Sequence, residues 1–337
     1  MNIVSSLSNK TRKDLIGLSL LIFGALHSLS VQAVSVSVSI TPLAGIVAPL
    51  LGEGDELQVI LKPGQSPHGF QMTPADMKTL SRSDLLITVG TPVDVWVEKS
   101  QKSLAVNTLA MSELNDLVLH PIRKGGLWED DDHGHHSHHH HEHHHDKHHN
   151  NKAKKRLQGV DGHLWLSVDN AKILIKATSK QLQSLNPNRA NVYKQREADW
   201  LAQIDQTDHL INEALKPVQK EPFLVLHDAF QYFEKRYHLN GVGSIQLNPL
   251  ISPSLKRVHE LRNRIKMRSV NCVFKEPQFP TKRVEMVARG LAVKTGILDP
   301  MGFNFGQSES KKVPQYLLYD DFLMQLSKQF QQCLSTK

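Results

Sequence analysis

Apolar and polar positions alternate from Val34 to Ile40, with Val or Ile set against Ser, the period of a strand. Thr41-Pro42 then supplies an N-cap and a first-turn proline for a helix through about Leu51, which Gly52 and Gly54 end. Leu57 to Leu61 reads as a second strand, and the turn Pro63-Gly64-Gln65-Ser66-Pro67 delivers His68. Thr73-Pro74 opens another helix, with Asp76 near its positive dipole end. Asp84 to Val89 is a short apolar strand, Pro92 to Lys102 is helical, and Leu117 to His120 is a brief strand.

From Pro121 to Val160 the periodicity collapses into a solvated loop. Order returns at Asp161, and Asn170 to Ser184 reads as a helix. Residues 189–217 form the longest helical pattern, with Trp200, Ile204, Ile211 and Leu215 on one face. About 28 residues at a 1.5 Å rise give roughly 42 Å, a rod that spans two units of structure. Strands at Phe223–Leu226, Val242–Leu247, Val270–Phe274 and Leu291–Lys294 then alternate with helices at Asp228–Tyr237, Pro253–Met267, Thr281–Arg289 and Tyr316–Leu334. Strand–helix alternation argues for an α/β fold with mainly parallel sheets flanked by helices. The expected organisation is an N-terminal lobe over 34–188, a linking helix over 189–217 and a C-terminal lobe over 218–337.

Hydrophobic content of 39% and charged content of 22% in 337 residues suit a folded globular chain. The net charge of +7 is spread out, with no basic stripe interleaved with aromatics, so nucleic-acid binding is a poor reading. Residues 1–33 read as a signal peptide: Lys10 to Lys13 precede an apolar run from Leu15 to Leu26, and small and polar residues end at Ala33. About twelve apolar residues are short for a membrane span, which leaves a single-span anchor as the lesser alternative. Export to a soluble, oxidising compartment is expected, as a monomeric mature chain without a membrane span. In an exported chain the two cysteines, Cys272 and Cys333, most simply form one disulfide, worth roughly 4 kcal/mol over a loop of about 61 residues. Metal ligation by both thiols is the weaker alternative.

His68, His163 and His227 each stand where a predicted strand gives way to a loop or helix start, about 60 to 100 residues apart. Three neutral imidazoles suit Zn2+ and leave a fourth position for a carboxylate or water. Read singly, each could be a turn residue or a hydrogen-bonded buried histidine; only a folded core would unite them.

The stretches Gly64-Gln65-Ser66-Pro67-His68, Asp161-Gly162-His163-Leu164-Trp165-Leu166-Ser167 and Leu226-His227-Asp228-Ala229-Phe230-Gln231-Tyr232-Phe233 resemble the metal-contacting segments of the cluster A-I solute-binding proteins of bacterial ABC importers. So do Cys272-Val273-Phe274-Lys275-Glu276-Pro277-Gln278-Phe279 and Leu298-Asp299-Pro300-Met301-Gly302, in the same order along the mature chain. The resemblance is to the zinc-type members. It implies two α/β lobes joined by one long helix, metal held between them, and delivery to a membrane permease for zinc uptake. His68, His163 and His227 match the family's three zinc-binding histidines. The third position is commonly a carboxylate in manganese-type relatives, so His227 favours zinc. Asp299 matches an aspartate that is a ligand in manganese-type members and lies near the metal in zinc-type ones, which makes it a candidate fourth ligand or a partner behind the ligands. Pro67 stands where some zinc members carry glutamate, and Gly162 where proline is frequent, a change that a tight turn tolerates. Cys272 and Cys333 match a disulfide of zinc-type members.

The run His133, His135, His136, His138, His139, His140, His141, His143, His144, His145, His148 and His149 resembles the charged loop of that subgroup. Many weak imidazole sites on a tether raise the local zinc concentration, which makes these accessory metal ligands. His141-Glu142-His143-His144-His145 fits the H-E-x-x-H pattern of zinc proteases, but that motif works only on a helix with an apolar flank and a distant third ligand, and a twelve-histidine tract matches it by chance. Two rivals remain: a periplasmic zinc buffer working through the histidine run, and, more distantly, a zinc hydrolase, for which the only candidate bases are Glu276 and Asp299. Protons compete with zinc for imidazole, so affinity is expected to fall toward about pH 6.

Overall fold

A computed structural model describes residues 33–90, 92–101, 104–128, 157–246, 249–268, 270–303 and 316–335. The expected signal peptide and the histidine run from 133 to 149 lie outside the described residues, Ala33 excepted. Two four-stranded parallel sheets carry the fold. The first consists of β1 (Ser35–Val38), β2 (Glu56–Val59), β3 (Leu85–Thr88) and β4 (Thr108–Ala110), in the order β2-β1-β3-β4. The second consists of β5 (Phe223–His227), β6 (Gly241–Gln246), β7 (Cys272–Lys275) and β8 (Lys294–Ile297), in the order β6-β5-β7-β8. Taken in chain order within each sheet, the two arrangements are the same, a repeat that no residue pattern announces.

Helices α1 (Thr41–Val47), α2 (Pro74–Leu80) and α3 (Val95–Gln101) interleave with the first sheet. A capping box closes the start of α2: Thr73 Oγ1 accepts from the Asp76 amide, and the Asp76 carboxylate accepts from the Thr73 amide. Helices α4 (Val168–Leu185) and α5 (Ala190–Leu215) follow, then α6 (Gln231–Arg236), α7 (Leu255–Arg268), α8 (Lys282–Ala288) and the closing α9 (Tyr319–Leu334). The 26 residues of α5 make a rod of about 39 Å. Its expected face is buried as read, with Trp200, Ile204, Ile211 and Leu215 joined by Tyr193 and Thr207. One continuous apolar core runs from Val36, Val38 and Ile87 of the first sheet, along α5 and α9, to Phe223, Val225 and Phe274 of the second. Among the described residues no helix is long and apolar enough to cross a membrane.

Two of the Ser positions do not face water. Ser37 in β1 and Ser39 just beyond it are fully buried, because a central strand of a parallel sheet is covered on both faces. Each hydroxyl finds a partner: Ser83 Oγ at 2.7 Å for Ser37, and the Asp94 carboxylate at 2.5 Å for Ser39. Asp94 also accepts from the Val89 and Gly90 amides, filling the crevice at the ends of β1 and β3.

Three expected elements differ. Leu117–His120 makes no ladder; Asn170 bonds both the amide and the carbonyl of Val118, and the Asp161 amide bonds the His120 carbonyl. The fourth strand is instead Thr108–Ala110, whose single buried apolar residue, Leu109, is too faint a pattern to read. The last strand begins at Lys294 rather than Leu291, because it is an exposed edge whose position is set by pairing with β7 and not by apolar alternation. The segment 121–160 is structured at both described ends. Pro121 bridges Val160, Arg123 pairs with Asp228 and Glu234, and Leu127 is buried in the second sheet's core.

Cys272 and Cys333 form a disulfide with a Cα–Cα distance of 5.9 Å, tying β7 to the end of α9. Replacing both cysteines with serine should lower the unfolding free energy by about 2–4 kcal/mol. Guanidinium denaturation measures it, and an unchanged midpoint would contradict a stabilising role.

Candidate metal centre

His227 is the last residue of β5, and Glu276 directly follows β7, its neighbour in the sheet. The chain leaves β5 toward β6 on one side and returns to β7 on the other, so the loops part between these strand ends. Glu276 therefore stands beside His227, and its Oε1 accepts from the His227 amide at 3.2 Å and faces Nδ1 at 2.7 Å. With Nδ1 engaged, Nε2 is left to point away from the sheet.

His163 is positioned the same way by local sequence. Asp161 Oδ1 accepts from the His163 amide at 3.0 Å and faces its Nδ1 at 2.7 Å. Asp161 is itself held, its amide bonding the His120 carbonyl at 2.8 Å and its carbonyl accepting from the Tyr232 hydroxyl at 2.9 Å. Between them, Gly162 lies so close to its neighbours that a Cβ would stand 2.7 Å from Pro92 Cδ and 2.8 Å from Val93 Cγ2. Close approach, rather than a tight turn, is what the glycine answers. His68 comes from the loop between β2 and α2, half-buried, its amide donating to Ser66 Oγ at 3.2 Å.

The three rings meet. Centroids are 5.2 Å apart for His163 and His227, 5.5 Å for His68 and His227, and 5.8 Å for His68 and His163. One nitrogen from each lies within 4.8 Å of the others, and the two Nε2 atoms of His163 and His227 are 3.3 Å apart. Zn–N bonds of about 2.0–2.1 Å at tetrahedral angles put ligand nitrogens about 3.3–3.4 Å apart, so that pair already has metal spacing. A cavity of about 10 Å³ adjoins the rings, roughly the room one water needs.

Burial, aided by the neighbouring rings of His227 and His163, lowers His68 to about 2. Burial, followed by the charge of His163, lowers His227 to about 3. Burial also pulls His163 down, but the charge and hydrogen bond of Asp161 outweigh it and the value ends above the ordinary one. Glu276 is pushed up to about 8 by burial, against the His227 amide and the charge of His163. Of the three rings, His163 alone is held above its ordinary value, and its Nε2 faces that of His227 at 3.3 Å.

The chain matches, over residues 36–319, the family described as ZnuA, zinc-uptake complex component A, periplasmic. It belongs to the ZnuA family. The high-affinity zinc uptake system protein ZnuA of Brucella suis biovar 1 is 32% identical over 320 residues, covering 91% of this chain and 94% of that protein. A crystal structure of ZnuA superposes with a TM-score of 0.70 at 20% identity, covering 90% of this chain and all of that one. The periplasmic zinc binding protein TroA from Treponema pallidum gives 0.69 at 20% identity, over 90% of this chain and 100% of its own. At such identities the two structures speak for the fold.

In this ZnuA-family chain Asp299 is buried and its oxygens are occupied: Oδ1 accepts from Gln278 Nε2 at 2.6 Å and the Met301 amide at 3.0 Å, and Oδ2 from the Phe303 amide at 3.0 Å. Among the described residues, the group with metal-holding geometry is the three histidines, without Asp299. The twelve accessory histidines lie outside the described residues. Sequence reasoning placed Asp161 and Glu276 in metal-contacting segments, and Glu276 as a candidate base, but missed their role behind the rings. Asp161, two residues before His163, carries the local signal of an Asp that bonds the amide two positions on. Glu276 has none, because its partner is 49 residues away and adjacency arises only in the sheet.

Two outcomes follow. Metal binding at pH 6 should release about one proton, measured by titration calorimetry in buffers of different ionisation heat. Affinity should fall about tenfold per pH unit below the raised His163 value and level off above it; release of three protons would contradict the assignment. Glu276→Gln, which keeps the shape but weakens the hold on His227 Nδ1, should cost about 10- to 100-fold in zinc affinity, read by chelator competition.

Proposed function

We propose that this ZnuA-family chain captures zinc in the periplasm with His68, His163 and His227 and delivers it to the membrane permease of an ABC importer. The observation that carries the reading is three imidazole nitrogens within 4.8 Å of one another, two of them from rings oriented by buried carboxylates. Nitrogen donors suit zinc better than manganese or calcium. Export rests on the basic-then-apolar start of the sequence, and the family description names the same compartment. A transporting role requires that metal be bound and released, and a neutral three-imidazole set with no carboxylate bound to the ion serves both. The run from His133 to His149 acts as a collector of lower affinity, raising the zinc concentration near the histidine trio.

His68→Ala should abolish one tight site while leaving several weak ones, read by zinc titration against a competing chelator. Deleting residues 133–149 should do the reverse, keeping the tight site and impairing growth only under severe zinc limitation. Little change on His68→Ala would favour a buffer working through the histidine run, and unchanged growth on deletion would remove the collector role.

A further inference from the structure

Gln278 lines the cavity beside the three histidines, as do Pro300 and Met301. Its Nε2 lies 2.6 Å from Asp299 Oδ1, which fixes the amide's orientation, since only the nitrogen end can donate to a carboxylate. Asp299 stands one residue back from the cavity wall that Pro300 forms. With two backbone amides and the Gln278 side chain as donors, and 2% of its surface exposed, it has no need of a cation. The other end of the amide is different. Gln278 Oε1 is buried without a hydrogen-bond partner, and so is Oε2 of Glu276, which lines the same cavity. An amide oxygen can only accept, and a buried acceptor without a partner is rare and costly, so Gln278 Oε1 points to a donor that belongs there.

We propose that Gln278 sets metal selectivity: its nitrogen holds Asp299 off the ion, and its oxygen accepts a hydrogen bond from the water that completes the coordination of zinc. The inference rests on the zinc site proposed above. Three imidazoles and a neutral water make a set suited to zinc, whereas an added carboxylate is a hard anionic donor that improves the site for manganese. Removing the amide takes away the one side chain, among the described residues, that donates to the Asp299 carboxylate, and leaves that carboxylate beside a cation. The glutamine is thus a positioning residue, acting on the metal through Asp299 and the water.

The test measures zinc and manganese dissociation constants for the wild type, Gln278→Leu and Gln278→Ala, each alone and combined with Asp299→Asn. Both single variants should shift preference toward manganese by on the order of tenfold, and Asp299→Asn should cancel that shift. Leucine fills the space of the amide and alanine leaves it open, and both release Asp299, so if Gln278→Leu does not fold, Gln278→Ala carries the comparison. Ratios within about twofold of wild type, or a shift that survives Asp299→Asn, would overturn the assignment. A wild-type protein without a stoichiometric tight zinc site would overturn the proposed function itself. Tight wild-type binding with unchanged variant ratios would remove only the role of Gln278.

Discussion

Two buried carboxylates, each bonded to the back of an imidazole, are the constraint on which the centre depends. Asp161 and Glu276 take the same two donors from their histidines, the main-chain amide and Nδ1. That double hold fixes tautomer and ring plane together, leaving Nε2 as the free donor atom. Without it the two Nε2 atoms, 3.3 Å apart, would have no reason to face one another in a desolvated site. The electrostatic cost is shared: burial drives His227 toward neutrality, while the charge and hydrogen bond of Asp161 hold His163 above its ordinary value.

The sheets explain how the carboxylates arrive. Glu276 reaches His227 because β5 and β7 are neighbours whose connections diverge, the condition that opens a crevice at strand ends. In the first sheet the equivalent crevice is filled by Asp94, which bonds Ser39 and two amides. The same architecture thus gives a closed polar plug in one half and an imidazole in the other. The difference lies in single residues placed after the strands and not in the topology.

Much of this was legible in the chain. The buried face of α5 follows from spacing alone, and the family resemblance pointed to one centre; the expected strand-end placement holds for His227 only, since His68 lies nine residues beyond β2 and His163 caps a short helical turn. What was not legible has physical causes. The strand Thr108–Ala110 is too short to carry a period, and β8 is an edge whose residues are chosen for solvent. Leu117–His120 is apolar enough for a strand, yet Asn170 satisfies the Val118 amide and carbonyl that a ladder would have used. Glu276 and Gln278 act across the fold, on partners 49 and 21 residues away, and no local pattern marks such pairs.

The core that runs unbroken along α5 and α9 carries a mechanical consequence. Two halves with separate interiors can swing apart at little expense, but here a wide clamshell opening would expose apolar surface at about 25 cal/mol per Å². Such a body behaves as a stiff frame. Compliance at the centre is left to the half-buried loop of His68, whose amide leans only on Ser66. Uptake and discharge of an ion would then be a local flexing of one peptide segment against a fixed pair, a latch rather than a jaw.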